Sequence, residues 1–411
     1  MDDQNVFTQV IELEGHIIDS NILPQVMEMA MGRGGDYVVE DFRIGKKKHE
    51  TSYARLELRA PSAELLASLV EHARRLGATV PYAEQVHSEP APVDGVFPEG
   101  FYSTTNLETK IRLNGGWVDV EHPEMDMGIV VDWDAHTART CAVAEVRKGE
   151  AVVVGHQGVK VTPLERSRRQ TEAFSFMGSA VSSERPRAKI IREIAAQMRE
   201  IRDRGGRTVV VAGPAVTHTG SAPLMVKLIE EGYVNCLFAG NALAAHDIEG
   251  AFFGTSLGIS LSEGTQTQGG HEHHLRAINR IRQAGSIRAA VDQGMLTKGI
   301  MYSCVKNGVE FVLAGSIRDD GPLPDVITDV VDAQRRMREV IHQGVDMVIM
   351  ISTMLHSIAV GNLLPAAVTT VCVDINPAVV TKLTDRGSFQ AIGLVADAEG
   401  FLRHLVGELK L

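Results

Sequence analysis

Short apolar runs that recur along the second half of the chain constrain its fold more than any other feature of the sequence. Between residues 201 and 411, helical patterns separate most of these runs, which lie at 208–211, 236–238, 310–313, 347–350, 371–373 and 392–395. Strands that alternate with helices are typical of a doubly wound parallel sheet. The sequence therefore predicts an α/β fold with a Rossmann-like domain over residues 201–411.

Small or polar residues end almost every one of these runs. They are Gly213-Pro214, Gly240-Asn241, Gly315-Ser316, Ser352-Thr353, Asp374 and Asp397. In open α/β sheets, ligands bind in the crevice beyond the carboxyl ends of the strands. We therefore expect the functional residues of this region to converge on one edge of the sheet.

The first two regions of the chain have different patterns. The pattern of residues 1–90 predicts a β-α-β-β-α-β order, which is the ferredoxin-like α+β unit. Its strands are expected at 7–18, 37–44, 52–58 and 78–80, and its helices at 22–31 and 62–75. Residues 91–200 predict a small β-rich region followed by connecting helices, with strands at 110–113, 127–131, 141–146 and 151–154.

Composition excludes several classes of function. Aromatic residues make up 5% of the chain and the net charge is -11, so we expect no nucleic-acid partner. The longest apolar stretches run to about eight residues, too short to span a bilayer, and the amino-terminus lacks the pattern of a signal peptide. The four cysteines form no CxxC pair, so neither a zinc ribbon nor a disulfide framework is expected. We expect a cytoplasmic protein.

A dinucleotide site is predicted although no GxGxxG motif occupies a strand-to-helix turn. The strand at 345–351 leads into a helix that opens at Thr353 and includes His356, and a second strand closes on Asp374. Thr353 and Asp374 are 21 positions apart, close to the ~20 that separate a phosphate-binding turn from the acid that binds the ribose. Asp397, at the end of the next strand, is a candidate for the adenine side. The alternative is that Asp374 only caps the helix that begins near Pro377.

Two further loops at predicted strand ends carry acids. Asp320, in the loop 315–324, is a candidate for a ribose or a substrate amine, or it belongs to an Asp-Gly turn. Asp247 and Glu249, in the segment 240–250, are candidates for binding an ammonium group or moving a proton, or they lie on a solvated helix start. The segment 271–274 reads HEHH but lacks a third ligand at suitable spacing, so no metal site is predicted.

Four sequence blocks together resemble the archaeal-type ornithine cyclodeaminases. They read GNALAAHDIEG at 240–250, HHLRAIN at 273–279, GSIRDDGPLP at 315–324 and TMLHS at 353–357. The first region resembles the domain named after the bifunctional lysine-oxoglutarate reductase/saccharopine dehydrogenase (LOR/SDH). The chain is also similar to the C-terminal part of the cyanobacterial arginine dihydrolase/ornithine cyclodeaminase fusion. More remotely, the third region resembles the NAD-binding fold of deoxyhypusine synthase.

The resemblance implies a tightly held NAD that is recycled within each turnover. By analogy, the residues that line this cofactor are Asn241, Ala242, Asp320, Thr353, Met354, Leu355, His356, Asp374 and Asp397. The implied reaction converts L-ornithine to L-proline and ammonia: hydride leaves the α-carbon, the δ-amine attacks the resulting imine, ammonia departs, and the cyclic imine takes the hydride back.

This chemistry needs an acid or base near the amine and an anion contact for the carboxylate. Asp247 and Glu249 are the candidates for the amine. Arg276 is the candidate for the carboxylate through a bidentate contact, and Lys298 is a second candidate.

Two alternative functions remain open at this point. One is a net amino-acid dehydrogenase of the saccharopine type, and the other is a regulatory protein that binds NAD and an amino acid. The resemblance to deoxyhypusine synthase implies sites at subunit interfaces, so we expect a homodimer or a homotetramer.

Overall fold

The computed structural model describes residues 6–18, 21–45, 50–80, 85–162, 187–261, 265, 267, 270–319, 321–385 and 391–411. Contacts divide the chain into two compact units. The first comprises Met1–Gly178 with Leu364–Ala367, and the second comprises Ser179–Leu363 with Val368–Leu411. The division into regions 1–90, 91–200 and 201–411 stays a prediction.

The first unit begins with an antiparallel sheet covered by two helices. Its elements are β1 (Phe7–Gly15), α1 (Ile22–Gly32), β2 (Asp36–Arg43), β3 (Ser52–Ala60) and α2 (Ala63–Arg75), and the strand order is β1-β3-β2. Every second residue of β3 is buried, as expected for a sheet with one covered face. The predicted strand at 78–80 is reduced to a bridge in which Thr79 and Glu12 exchange backbone hydrogen bonds of 2.8 and 2.7 Å.

A second sheet completes the first unit. It has seven strands in the order β10-β5-β6-β8-β7-β9-β4. The strands are β4 (Ser88–Pro90), β5 (Thr109–Leu113), β6 (Gly116–Glu121), β7 (Gly128–Asp132), β8 (Thr137–Cys141), β9 (Ala151–Val153) and β10 (Val159–Val161).

One predicted strand of this sheet, 141–146, is wrong. Only Cys141 belongs to a strand, because the chain turns through a 3-10 helix at Val143–Glu145. Cys141 and Val146 are buried, whereas Val143 is 52% exposed. The apolar run therefore does not have the alternating burial of a strand.

The second unit contains a parallel sheet of seven strands in the order β16-β15-β12-β11-β17-β18-β19. Its strands are β11 (Thr208–Ala212), β12 (Cys236–Gly240), β15 (Glu310–Ala314), β16 (Val326–Ile327), β17 (Met347–Ile351), β18 (Thr369–Asp374) and β19 (Ala391–Val395). Two short strands, β13 (Thr255–Ser256) and β14 (Ile259–Ser260), pair with each other as a separate ribbon. Every pairing in the large sheet is parallel, so the predicted doubly wound α/β fold is confirmed.

Helices follow most strands of this sheet. They are α3 (Arg187–Asp203), α4 (Ala215–His218), α5 (Ala222–Glu230), α6 (Asn241–Phe253), α7 (His273–Ala284), α8 (Ile287–Asp292), α9 (Ile300–Lys306), α10 (Val330–His342), α11 (Met354–Leu363), α12 (Pro377–Asp385) and α13 (Ala398–Leu409). The helices exclude water from the central strands, and all five residues of β11 and of β17 are buried. Within the described residues, no helix combines the length and the apolar character that a membrane span requires.

Candidate active site

The strand order reverses between β11 and β17, and the loops that follow these two strands meet at the carboxyl edge. From β11 the chain proceeds outward through β12 to β15 and β16, and it returns to β17 on the other side of β11. Gly213 and Ser352 lie in close contact there, since a Cβ atom on Gly213 would be only 1.9 Å from the Ser352 carbonyl oxygen. Such a reversal point is where open α/β sheets form their ligand crevice.

The residues after β17 form the start of α11, as predicted. Thr353 precedes the helix, Met354 and Leu355 are 37% and 76% exposed, and His356 turns back toward the sheet. A Cβ atom on Gly240 would lie 3.3 Å from His356 Cε1, so the imidazole rests against the end of β12. Burial lowers the pKa of His356, which keeps the ring neutral at neutral pH.

The start of α6 is tied to the loop after β15 through Asn241. Its Nδ2 donates to Asp319 Oδ1 at 3.1 Å, and its Oδ1 accepts a hydrogen bond of 3.0 Å from the Leu323 amide. Ala242 is exposed beside it. The structure therefore brings two of the predicted cofactor residues to the same edge as His356. Asp320 lies outside the described residues.

Asp374 ends β18, as the spacing predicts, and it is only 9% exposed. Its Oδ1 accepts a 2.8 Å hydrogen bond from the Asn376 amide, while Oδ2 accepts none from the described residues. Asp397 is exposed and caps α13, where its Oδ1 accepts a 2.8 Å hydrogen bond from the Gly400 amide. Of these two acids, Asp374 is the one whose burial and remaining acceptor oxygen suit a bound ligand.

Glu249 is fully buried and is surrounded by hydrogen-bond donors. Its Oε1 accepts from Thr255 Oγ1 at 2.8 Å and from the Gly258 amide at 3.0 Å, and its Oε2 accepts from His246 Nδ1 at 2.7 Å and from the Leu257 amide at 3.2 Å. Burial by itself raises the pKa of Glu249, but the bonds from His246, Gly258 and Thr255 outweigh it and lower that pKa overall. The carboxylate is thus held ionised in a dry site.

Three histidines gather around this carboxylate. We call the group the histidine cluster and define it as His218, His246, Glu249, Thr255, Ser256 and His273. The His218 ring stands 4.7 Å from the His246 ring, and its Nδ1 lies 2.7 Å from Ser256 Oγ. Burial, followed by the nearby His246, lowers the pKa of His218 to about 4.

Proton positions within the histidine cluster follow from the hydrogen bonds. Thr255 has one hydroxyl proton, and it donates this proton to the ionised Glu249. His273 Nδ1, which is 2.8 Å from Thr255 Oγ1, must therefore be the donor in that contact. His246 likewise donates from Nδ1 to Glu249, which leaves Nε2 as the nitrogen that can exchange a proton with a ligand.

Asp247 does not join this cluster. Although 4% exposed, it points to the other side of α6, where its Oδ1 and Oδ2 accept hydrogen bonds of 2.8 Å each from the Ile300 and Met301 amides. These amides open α9, so Asp247 caps that helix. Burial raises the pKa of Asp247 to about 6, against the opposing effect of the two amides.

The two basic candidates are placed at the surface. Arg276 is exposed and forms an ion pair with Glu272, one turn earlier in the chain. Lys298 is exposed in the turn before α9.

Among the described residues, no three His, Cys, Asp or Glu side chains come together as metal ligands.

The chain is similar over nearly its whole length to known proteins. The chain is 53% identical to an ornithine cyclodeaminase of Methanothermobacter thermautotrophicus over 98% of each chain. The chain belongs to the ornithine cyclodeaminase family. Residues 192–405 match the family described as arginine dihydrolase ArgZ-like, C-terminal, Rossmann fold; residues 108–191 match its first region, and residues 8–107 match the LOR/SDH bifunctional enzyme conserved region.

Two solved structures extend the comparison. The apo structure of ArgZ, a cyanobacterial arginine dihydrolase, aligns with a TM-score of 0.84 and 41% identity over 98% of this chain and 58% of that one. A ternary complex of AgrE with ornithine and NAD+ aligns over the same shares with 41% identity and a TM-score of 0.53. The predicted relation to the cyanobacterial fusion proteins is confirmed, and this chain corresponds to 58% of their length.

The sequence pattern did not indicate that His218, His246 and His273 come together. The available signal was the pair of polar residues at 246 and 249, which are three positions apart and therefore share a face of α6. No sequence signal connected His218 to them, because it reaches the cluster from a different strand-end loop.

Proposed function

We propose that the protein is an NAD-dependent ornithine cyclodeaminase that converts L-ornithine to L-proline and ammonia. The observation that carries this proposal is the 53% identity, over 98% of each chain, to an enzyme of that name. The ornithine and NAD+ in the AgrE complex support the same substrate and the same cofactor. The chemistry also requires a polar site, and the carboxyl edge of the parallel sheet offers one.

The residues at the edge fit a dinucleotide. The close contact between Gly213 and Ser352 leaves no room for a side chain at that point, which is what a backbone that approaches a pyrophosphate requires. The amides that open α11, from Met354 to His356, would hold the phosphates, and Asp374 Oδ2 would accept from ribose hydroxyls. Leu355 and Ile375, 76% and 72% exposed, offer apolar contacts to a base. Bound NAD supplies a reversible acceptor for hydride.

Within the histidine cluster, we assign proton transfer to His246 and a positioning role to Glu249. Glu249 accepts four hydrogen bonds from protein donors, so it is committed to holding its neighbours. Its bond to His246 Nδ1 fixes the ring and leaves Nε2 to accept a proton from a substrate amine. Asn241 and Asp319 would order the loop that borders the same edge.

The remaining candidates have weaker claims on the substrate. Asp247 is better placed to support α9 than to contact substrate, and Arg276 would need to leave Glu272 to bind a carboxylate.

We further propose a homodimer or homotetramer in the cytoplasm, since closed symmetric assemblies are the commonest oligomers of soluble proteins.

Net dehydrogenation of an amino acid is the second candidate function, which the LOR/SDH match to residues 8–107 favours.

The test is to incubate the purified protein with L-ornithine, with and without added NAD, and to measure proline, ammonia and NADH together. We expect proline and ammonia in equal amounts and no accumulation of NADH, because the hydride returns to the product. NADH formed in step with substrate loss would establish the dehydrogenase instead. Absence of turnover by protein that is shown to hold NAD would contradict both enzyme proposals.

A further inference from the structure

A cleft of about 650 Å³ is lined by residues of the first unit. Helix α2 forms one wall, and the segment from Val154 to Gln157, between β9 and β10, forms the other. Its volume is in the range of about 300–1,000 Å³ that is typical of small-molecule sites. The proposed reaction does not use this cleft.

A single arginine without a partner among the described residues lines the cleft. Arg74, near the end of α2, is half-buried, and its guanidinium forms no hydrogen bond or ion pair with the described part of the chain. Burial lowers the pKa of Arg74. A partly desolvated cation without a counter-charge is costly, so an anionic group in the cleft would relieve this cost.

A carboxylate lies one turn away on the same helix. Glu71 pairs with His156 Nε2 at 3.0 Å, although Arg74, three positions along the helix, is also a neighbour. His156 is in turn packed edge-on against the Tyr102 ring, with 5.2 Å between ring centroids. Glu71 is therefore engaged by His156, and Arg74 is left without an ion-pair partner among the described residues.

The rest of the wall is mainly aliphatic. Leu66 and Val70 face the cleft from α2, and Val154 faces it from the opposite segment, all three only partly buried. The cleft thus combines one cationic contact, one anionic contact and an apolar surface. Glu71 would repel a ligand with two carboxylates, and Arg74 would repel a simple amine.

We propose that this cleft binds a free α-amino acid. The α-carboxylate would pair with Arg74, the α-ammonium would contact Glu71, and an aliphatic side chain would pack against Leu66, Val70 and Val154. The ligand would be held by residues of the first unit only. The site is therefore distinct from the candidate active site.

Binding is tested on the full chain by thermal shift and titration calorimetry, with each of the standard protein amino acids at millimolar concentration. Isovalerate and isoamylamine serve as probes that lack the ammonium and the carboxylate respectively. We expect at least one aliphatic amino acid to bind and neither of these two probes to do so. Failure of every amino acid to bind the wild-type protein would overturn the proposal.

Variants locate the bound amino acid. Arg74→Met keeps the apolar stem and removes the charge, and we expect it to weaken binding about ten- to a hundred-fold. Glu71→Gln should weaken binding of the amino acid and should let isovalerate bind, because the charge that repels its carboxylate is gone. Arg43→Met is the matched control, because Arg43 is exposed and paired with Asp41 on β2.

Equal affinity in Arg74→Met and wild type would overturn the proposal, since binding would then lie elsewhere. The melting temperature of each variant without ligand shows whether it is folded. The readout is binding and not turnover, so this experiment can fail while the ornithine assay succeeds, and the reverse also holds.

Discussion

The two sides of helix α6 hold buried carboxylates in opposite electrostatic settings. Asp247 and Glu249 are two positions apart, which places them about 200° apart around the helix axis. Asp247 accepts hydrogen bonds from two backbone amides of α9, and burial raises its pKa to about 6. Glu249 accepts four hydrogen bonds, one of them from the His246 imidazole, and these bonds lower its pKa.

The difference shows that burial alone does not decide what a carboxylate does. On the α9 side, the acid satisfies amides of the first helical turn, which have no acceptor within their own helix, and this is a structural task. On the histidine side, the acid accepts a hydrogen bond from His246, the residue to which we assign proton transfer. Three predictions test this comparison, in order of decreasing effect.

The largest effect is expected on the turnover number, from substitutions in the histidine cluster. His246→Asn should lower kcat about 10²- to 10⁴-fold, the usual contribution of one positioned acid or base, with little change in stability. Glu249→Gln should also lower kcat, because His246 Nδ1 loses the carboxylate that orients the ring. Steady-state kinetics with L-ornithine measure both effects.

His136→Asn is the matched control for these kinetics, since His136 is exposed on the first unit and its left-handed backbone suits asparagine. It should behave as wild type. Full turnover by His246→Asn would remove His246 from the mechanism, and an unchanged kcat in Glu249→Gln would remove the positioning role.

The second largest effect is expected on the free energy of unfolding, from substitution of Asp247. Asp247→Ala leaves two buried amides without an acceptor, so the free energy of unfolding should fall by about 2–4 kcal/mol. Activity per folded molecule should be kept within about twofold, as the residue is not assigned to the chemistry. Urea unfolding followed by activity measurements on the soluble fraction checks both parts.

Asp247→Asn keeps the size of the side chain and removes its negative charge, so it separates these two effects. The amide keeps one acceptor for the α9 amides, so an intermediate loss of stability is expected. A variant with near-native stability and no turnover would instead return Asp247 to a catalytic role and cancel the contrast between the two sides.

The smallest expected effect is the pH dependence contributed by His218. Its pKa is about 4 in the folded protein against an ordinary value of 6.5, so the folded state binds fewer protons than the unfolded state between these values. The corresponding stability is fully present above pH 6.5 and is lost as the pH falls from 6.5 toward 4. We expect this contribution to be about 1–2 kcal/mol after allowance for solvent screening.

Urea unfolding of wild type and His218→Gln at about pH 7, 5.5 and 4.5 measures this contribution. The glutamine keeps a hydrogen-bonding group near Ser256 but does not titrate, so the two proteins should converge as the pH falls. Asp247 has the opposite sign, because its raised pKa contributes stability at low pH that is lost as the pH rises through about 6. Because Asp247 is present in both proteins, its contribution cancels when their free energies of unfolding are compared. Parallel curves would show that His218 is not buried as a neutral ring.

Much of the parallel sheet could be predicted from the sequence, because a continuous apolar run that ends in small or polar residues suits a strand covered by helices on both faces. The strand that closes on Asp374 and the helix that opens after Thr353 lie where the spacing placed them. The order of the first five elements was also predictable, from alternation in β3 and the Ser62 cap of α2, whose Oγ accepts from the Leu65 amide at 3.2 Å. These features depend on residues close together in the chain.

The tertiary structure alone decided which acid caps α9 and which one joins the histidine cluster. Asp247 contacts amides 53 and 54 positions away, and His218 reaches Ser256 across 38 positions. Local pattern fixes the face of a helix on which a side chain lies, but it does not specify which distant donors will meet that face. The sequence by itself determined the sheet, the edge and the candidate acids; the packing of α4, α7 and α9 around α6 determined their charge states and their partners.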